Sequence, residues 1–196
     1  MYKKVILASK SKVRKKILEQ FDIDCEVQPS NVDEDIVKQS LDKQNASPEI
    51  ISKNLAELKS NKISQKFPER VVIGADSVID LEGRVISKPE DRKQALEILK
   101  NLNGKTHYLI SSICISKNGG MVWNYTDKAA LTMREMSNQE LEIYLSKISD
   151  EDLYAYNVYQ IEGLGRSLFS KIEGNENTIM GLPVEKIKEY LNQNNE

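Results

Sequence analysis

The chain has 196 residues, of which 39% are hydrophobic and 30% charged, so it is long enough to bury the core of a globular protein. Its formal net charge of −2 argues against general nucleic-acid binding, which requires a basic face. No apolar run approaches the roughly 18 residues that cross a bilayer, and the run after the charged start Met1–Lys4 is too short for a signal peptide. We therefore expect neither a membrane nor a nucleic acid as partner.

The cysteine and histidine content argues against a disulfide framework or a zinc site. Cys25 and Cys114 are the only cysteines, they lie far apart, and His107 is the only histidine. This pattern favours a reducing cytoplasm. His107 is predicted to be structural, since no Ser-His-Asp or Cys-His arrangement can be built around it.

Strands and helices alternate along the chain, without repeats or low-complexity linkers. The predicted elements are a strand at 5–7, a helix at 9–18, a helix from Ser47, a strand at 71–76, a turn and return strand at 81–86, a helix at 91–102, a hairpin of 108–116 and 121–133, a capping-box helix from Ser137, a strand at 166–172 and a helix from Pro183. In the helix from Ser47, Ile51, Leu55 and Leu58 form the apolar stripe and Lys59 lies off to one side. Hairpins together with crossover helices indicate an α/β protein with a mixed, partly antiparallel sheet.

An apolar run at Val71–Ile73 leads into Gly74, Ala75 and Asp76. This order predicts a buried strand that ends in a close-packed turn and presents the Asp76 carboxylate. Open α/β sheets bind ligands at the carboxyl ends of their strands, so Asp76 is a candidate site residue. The alternative is a solvated aspartate that begins an ordinary turn.

The first strand leads directly into a helix that begins with Ser9 and Ser11 and carries Arg14 one turn in. Backbone N–H groups and hydroxyls at such a helix start can bind phosphate, and Arg14 can add a bidentate contact. The alternative is that both serines only cap the helix while Arg14 lies on its exposed face. The chain contains neither GxxxxGK[ST] nor GxGxxG, which excludes a P-loop nucleotidase.

Seven motifs in unbroken order resemble the Maf family of nucleotide pyrophosphatases. Each is weak alone, but together they extend over nearly the whole chain. The motifs are Leu7–Arg14, Val32–Glu34, Gly74–Ser77, Ser87–Pro89, Leu102–His107, Ile161–Gly165 and Thr178–Pro183.

This resemblance implies an enzyme that hydrolyses a nucleoside triphosphate between the α and β phosphates, giving a monophosphate and pyrophosphate. It also implies a divalent cation, Mg²⁺ or Mn²⁺, and a role in clearing non-standard nucleotides. The implied fold is that of inosine-triphosphate pyrophosphatases: one domain over residues 1–196, an elongated mixed β-sheet flanked by helices in two lobes, and a central active-site cleft. A homodimer is expected from the family alone.

The family motifs also assign roles to individual residues. Asp76 is the expected general base, and Glu34 joins Asp76 in holding the metal. Ser9, Ser11 and Arg14 would bind the phosphates.

Two lysines would neutralise the remaining phosphate charge, since a triphosphate carries about four negative charges. These are Lys59 and Lys88, and Pro89 restricts Lys88 to an extended backbone. The alternative, without the family context, is that both are surface lysines on a helix and a loop.

The chain departs from the family pattern at two places that bear on the substrate. Val13 stands where the family usually has an arginine, and it fits equally well into the helix core. Glu162 stands where the branch acting on dTTP and UTP has glutamine, and Glu-Gly resembles the branch acting on 7-methyl-GTP. A carboxylate suits the two N–H donors of a guanine edge. However, Ser77 lies where the pyrimidine branch often has threonine, so the base stays open. Glu162 is alternatively a structural acid in a turn.

Two other functions compete with the pyrophosphatase. One is a non-catalytic, nucleotide-sensing regulator of cell division on the same scaffold, and the other is a phosphatase that removes only the γ phosphate. Product identity distinguishes them. The acidic cluster Ser149–Asp152 is predicted to be a solvated loop rather than a metal site.

Overall fold

A computed structural model of the chain describes residues 4–194, with the side chains of residues 154–156 excepted. Residues 1–3 of the charged start Met1–Lys4 therefore lie outside the described residues. The strands are β1 Val5–Leu7, β2 Cys25–Val27, β3 Val72–Leu81, β4 Arg84–Ile86, β5 Thr106–Lys117, β6 Gly120–Met133 and β7 Phe169–Glu173. The α-helices are α1 Lys12–Gln20, α2 Glu34–Asp42, α3 Pro48–Ser64, α4 Arg92–Leu102, α5 Asn138–Ser146, α6 Asp150–Tyr156, α7 Glu176–Ile179 and α8 Val184–Gln193, and Leu164–Leu168 forms a 3₁₀ helix.

The strands form one seven-stranded sheet in the order β2-β1-β3-β5-β6-β7, with β4 paired to β3 outside this path. β1 pairs in parallel with β2 and β3, whereas β3–β4 and β6–β7 are antiparallel. The predicted mixed α/β architecture is therefore confirmed. None of the helices within residues 4–194 combines the length and apolar character needed to cross a bilayer.

The chain divides into two compact units. The first comprises the chain up to Val78, Ile110–Lys128 and the chain from Asn175 onward. Its core is formed by apolar side chains from β1, β3, β5, α1 and α8. The second comprises Ile79–Leu109 and Ala129–Gly174, and within it α4 and α5 contact each other. A single domain with a central cleft stays a prediction.

The two cysteines are buried free thiols. Burial raises the pKa of the Cys25 and Cys114 thiols, which favours the protonated form. The expectation of no disulfide framework agrees with this arrangement.

β3 is longer than the sequence predicted, and the predicted turn at Gly74–Asp76 is wrong. Asp76 lies in the middle of this strand, which continues to Leu81 and pairs there with β4. The parallel pairing with β1 ends at Ile73, opposite Leu7. Asp76 therefore lies beyond the carboxyl end of β1, although not at the end of its own strand.

Two other predictions in the last third are wrong. The strand predicted at 166–172 begins only at Phe169, because the preceding residues form the 3₁₀ helix. The acidic cluster predicted as a loop begins α6, where the Ser149 side chain accepts a hydrogen bond from the backbone N–H of Asp152. Acidic residues are favourable in a first helical turn, and Asp150 also pairs with Arg92 at 2.7 Å. The sequence reading also missed β2, α2 and α7.

Helix α3 packs against β3 at unusually close range. A Cβ atom added to Gly74 would lie 2.2 Å from the carbonyl oxygen of Ala56 and 2.8 Å from the nitrogen of Ser60. Small residues on both elements permit this approach, and the buried Ser60 hydroxyl is satisfied by the Glu57 carbonyl and by Ser116. Gly74 thus serves the packing of a helix on a strand rather than a turn.

The close packing also changes which face of α3 is buried. Leu58, predicted in the apolar stripe, is 43% exposed, whereas Lys59 is only 6% exposed. Lys59 lies three residues after Ala56 and four before Ile63, both buried, so it shares the face that contacts the sheet. The predicted position of Lys59 beside the stripe is wrong.

In the second unit, His107 is fully buried in an aromatic cluster with Tyr159 and Phe169. Its Nε2 lies 2.7 Å from the Tyr159 hydroxyl, and its Nδ1 has no hydrogen-bond partner among the described residues. Burial lowers the pKa of His107 from 6.5 to about 4. This environment supports the predicted structural role.

We predict that Gly74→Ala destabilises the fold by about 2–3 kcal/mol or more, because neither the Ala56 carbonyl nor the Ser60 backbone can yield easily. Gly120→Ala is the matched control, since no atom lies within 4 Å of the added Cβ, and its effect should stay within about 0.5 kcal/mol. Urea unfolding monitored by circular dichroism measures both. Equal effects of the two substitutions would contradict the close packing.

We also predict that acid destabilises the protein through His107. The unfolded histidine takes up a proton near pH 6.5, whereas the folded one does so only near pH 4, so stability falls as pH drops through this window. The contribution is about 2–3 kcal/mol from pH 7 to 4. In His107→Gln this part of the pH dependence should vanish. Parallel stability–pH curves for wild type and variant would contradict the prediction.

Candidate active site

The Asp76 carboxylate is buried, with 3% of the residue exposed. Its Oδ1 accepts a hydrogen bond from Lys59 Nζ at 2.8 Å, and its backbone carbonyl accepts one from the Ser52 hydroxyl at 3.1 Å. Its Oδ2 is buried and has no hydrogen-bond partner among the described residues. One carboxylate oxygen is thus held and the other is available to a ligand.

Lys59 connects Asp76 to a second carboxylate. Its Nζ lies 2.7 Å from Glu34 Oε1, so one ammonium bridges the two acids. Glu34 is the first residue of α2 and is followed one turn later by Lys38, at 3.8 Å. Burial by itself raises the pKa of Glu34, but the charges of Lys59, Lys38 and Arg14 outweigh it and lower this pKa below its ordinary value. Glu34 is therefore ionised at neutral pH.

Arg14 is already hydrogen-bonded to three parts of the first unit. Its Nε donates to the Gly181 carbonyl at 2.9 Å, and its Nη1 donates to the Ala75 carbonyl at 3.0 Å and to Ser9 Oγ at 3.3 Å. Its Nη2 donates to Ser77 Oγ at 3.2 Å. Burial lowers the pKa of Arg14, opposed by the charges of Asp76 and Glu34. A guanidinium has five N–H donors, and among the described residues four of those of Arg14 have acceptors, which leaves one on Nη2 for a ligand.

Ser9 and Ser11 both act as caps at the start of α1. The Ser11 hydroxyl accepts from the Arg14 N–H at 3.3 Å, and the Ser9 hydroxyl accepts from the Ser11 N–H at 3.2 Å. Capping, the alternative kept open for these serines, is therefore observed. Val13 packs partly buried against the core, in line with its reading as a core residue.

A chain of hydroxyls continues from Arg14, through the half-buried Ser77 to the buried Ser111 and Thr178, and was not predicted from the sequence. Ser111 Oγ donates to the Thr178 carbonyl at 2.7 Å, so it must accept from Ser77 Oγ at 2.8 Å, which in turn accepts from Arg14. The Thr178 hydroxyl donates to Asp127 Oδ2 at 2.5 Å. We call Ser77, Ser111, Thr178 and Asp127 the Arg14 relay. It fixes the acceptor to which each of the three hydroxyls donates and the orientation of the Arg14 guanidinium plane.

Gly181 completes the surroundings of Arg14. Its φ of +92° is unfavourable for other residues, and an added Cβ would lie 2.8 Å from Ser77 Oγ and 3.3 Å from Arg14 Nη2. The Gly-Leu-Pro sequence at 181–183 was a signal for this position. Ser111 had no such signal, because it is one small residue in a long strand.

The first unit brings most of the predicted site residues together. Its members are Ser9, Ser11, Arg14, Glu34, Lys59 and Asp76, joined by the hydrogen bonds, ion pairs and charge interactions above. The roles assigned to these residues stay predictions.

Lys88 and Glu162 belong to the second unit. Lys88 is exposed in the segment after β4, next to the buried Pro89. Glu162 is exposed in a turn before the 3₁₀ helix, where Gly165 approaches Gln160 so closely that an added Cβ would lie 2.5 Å from its carbonyl oxygen. Their roles toward phosphate and base also stay predictions.

The residues around Asp76 fit a divalent metal that arrives with a phosphate ligand. Within residues 4–194 no cluster of three or more histidine, cysteine or acidic side chains could hold a metal. Mg²⁺ commonly uses only one or two carboxylates together with substrate phosphates. Glu34 and Asp76, the two carboxylates that Lys59 bridges, supply that donor set.

Comparison with known proteins gives matches over nearly the whole chain. The family model described as Maf-like protein matches residues 4–194. The chain is 73% identical over 191 residues to the nucleoside triphosphate pyrophosphatase of Pelagibacter ubique (strain HTCC1062), covering 97% of this chain and 98% of that protein. It is 38% identical to the 7-methyl-GTP pyrophosphatase of Rhizobium etli, covering 94% and 92% of the two chains.

A solved structure of a HAM1 protein from Coxiella burnetii aligns with a TM-score of 0.48 and 10% identity, covering 97% of this chain and 98% of that chain. The expected likeness to inosine-triphosphate pyrophosphatases stays a prediction. The family model extends over all seven motifs, and the similarity to the Pelagibacter protein extends over nearly every residue. On these grounds the chain belongs to the Maf family.

Proposed function

We propose that this chain hydrolyses a nucleoside triphosphate between its α and β phosphates, with Mg²⁺ or Mn²⁺, and so clears non-standard nucleotides. The names of its relatives support an enzyme of the nucleoside triphosphate pyrophosphatase class. The observation that carries the proposal is the buried Asp76 carboxylate. Lys59 fixes one of its oxygens, and the other has no hydrogen-bond partner in the part of the chain that the structure describes. A cytoplasmic location and a homodimer belong to the same proposal.

The chemistry assigned to Asp76 is proton removal from water. Lys59 and the Ser52 hydroxyl hold the residue in place, so Oδ2 is the free acceptor for the proton. The water oxygen bonds to the α phosphorus, and the bond from this phosphorus to the oxygen that bridges it to the β phosphate breaks. Pyrophosphate then leaves with the electron pair of that bond. A divalent cation held by Asp76 and Glu34 would acidify the water and offset phosphate charge.

Cationic side chains supply the remaining charge stabilisation. Arg14 and Lys59 lie near the two acids in the first unit, as their charge interactions show. Arg14 contributes its fixed charge and one free N–H, while the serine caps hold the start of α1. Lys88 is assigned to phosphate by its motif. Positive charge held in place before the reaction stabilises the transition state without reorganisation.

Recognition of the substrate base is assigned to Glu162, but the preferred nucleotide is not assigned. Its carboxylate can accept both N–H donors of a guanine-like edge. One relative is named 7-methyl-GTP pyrophosphatase, whereas the relative at 73% identity carries only the general name. The test therefore uses a panel of bases.

We predict that Asp76→Asn lowers turnover at least about 100-fold, because an amide cannot accept the proton. The assay incubates protein with Mg²⁺ or Mn²⁺ and dTTP, UTP, CTP, GTP, ATP or 7-methyl-GTP, and separates the products by chromatography. Asp80→Asn is the control in the same strand, since its Oδ1 acceptor for the Gly83 N–H is retained. Its turnover should stay within about threefold of wild type.

Each product pattern has one meaning. Monophosphate and pyrophosphate, lost in Asp76→Asn, support the proposal. Diphosphate and phosphate would replace it with a γ-phosphatase. Nucleotide binding without turnover of any triphosphate would favour the nucleotide-sensing regulator.

We further predict that Ser111→Ala lowers kcat/KM by about tenfold, because Ser77 loses its acceptor and no longer fixes Arg14 Nη2. Ser112→Ala is the matched control. Ser112 is equally buried in β5, and its hydroxyl bonds Thr126 at 2.9 Å, away from the Arg14 relay. Both variants should lose about 1–2 kcal/mol of stability. An equal loss of kcat/KM in both would mean that Ser111 has only a structural role.

A further inference from the structure

The strongest unexplained feature is the position of Lys59 between two acids. Its side chain is 7% exposed, and its ammonium lies 2.7 Å from Glu34 Oε1 and 2.8 Å from Asp76 Oδ1. These are the two carboxylates to which the proposed function assigns the metal. A monovalent protein cation therefore occupies the point at which the acids converge.

Such an arrangement opposes the binding of a free divalent cation. The oxygens that face each other already accept hydrogen bonds from Lys59, and a dication beside them would lie within a few ångströms of the ammonium. Of the carboxylate oxygens of Glu34 and Asp76, Asp76 Oδ2 is the one that is buried and has no hydrogen-bond partner among the described residues. Mg²⁺ gives up its hydration shell reluctantly, so one carboxylate oxygen next to a like charge holds it weakly.

A metal-bound triphosphate changes this balance. It brings several negatively charged oxygens, to which an ammonium on a flexible four-carbon stem can transfer its hydrogen bonds. The Glu34 and Asp76 oxygens are then released to the metal. Glu34 can adapt because it begins a helix in which none of the described residues is buried.

We propose that Lys59 keeps Glu34 and Asp76 occupied in the resting protein, so that the divalent cation enters as its complex with the triphosphate rather than alone. The inference rests on the proposed function for the identity of the two metal ligands. It assigns the substrate as the metal–nucleotide complex and makes Lys59 both a blocker of free metal and a phosphate ligand.

The test measures Mn²⁺ binding to the full chain without nucleotide, by the electron paramagnetic resonance signal of free Mn²⁺. Lys59→Met should bind Mn²⁺ about tenfold more tightly than wild type, or more, because the competing charge and hydrogen bonds are gone. Lys38→Met is the matched control, since Lys38 lies farther from Glu34, at 3.8 Å, and does not contact Asp76 among the described residues. Its Mn²⁺ affinity should change by no more than about threefold. Unchanged or weaker binding by Lys59→Met would overturn the proposal.

A second measurement uses the wild-type protein, in case loss of the buried charge prevents Lys59→Met from folding. The Hε–Cε nuclear magnetic resonance signal of Lys59 is assigned by its absence in Lys59→Arg. In the wild-type protein this signal is followed during addition of Mg²⁺ alone and of Mg²⁺ together with dTTP or GTP. The signal should stay unchanged with millimolar Mg²⁺ alone and shift when nucleotide is added. A shift on the Mg²⁺ binding curve without nucleotide would overturn the proposal.

Neither readout depends on turnover, so the two proposals fail separately. A wild type that cleaves no triphosphate, together with tighter Mn²⁺ binding by Lys59→Met, would overturn the proposed function and support the role of Lys59. Pyrophosphate release by wild type, together with unchanged Mn²⁺ binding by Lys59→Met, would support the proposed function and overturn the role of Lys59.

Discussion

The close contact between α3 and β3 is the constraint on which the candidate site depends. Gly74 lets the helix backbone approach the strand, and the buried Ser52 hydroxyl of α3 donates to the Asp76 carbonyl within that contact. At this distance the Lys59 side chain reaches Asp76, two residues beyond Gly74. A larger residue at position 74 would separate the two elements, and the ion pair would be lost with the packing.

Burial gives this ion pair its chemical character. A charge removed from water needs a compensating partner, and Lys59 shares its single charge between two acids. Asp76 therefore stays buried while one of its oxygens lacks a hydrogen-bond partner within the described residues. An unpartnered buried oxygen costs stability, and such a cost is typical of a site prepared for a ligand.

Arg14 contributes to the candidate site although most of its N–H donors are hydrogen-bonded to the protein itself. Four of its donors bind the protein, and its charge is held by Ser9, Ser77, Ala75 and Gly181. The hydroxyl relay behind Ser77 continues to the segment before Gly181. Three separate stretches of the first unit thus meet at one guanidinium, which positions the start of α1 against β3.

Local signals in the sequence determined the mixed α/β class, the caps of α1, α3 and α5 and the turn at 82–83, because each of these depends on neighbouring residues. The order of the motifs along the chain determined the family. The family resemblance also named Asp76 and Glu34 through their motifs, and it named Lys59, which lies outside the seven motifs, as a residue that neutralises phosphate charge. Only the tertiary structure decided that Lys59 is buried between the acids, that Asp76 lies within a longer strand, and that Ser111 supports Arg14. These facts arise from contacts between segments distant in sequence, and the periodicity of a single helix or strand carries no information about the partner packed against it.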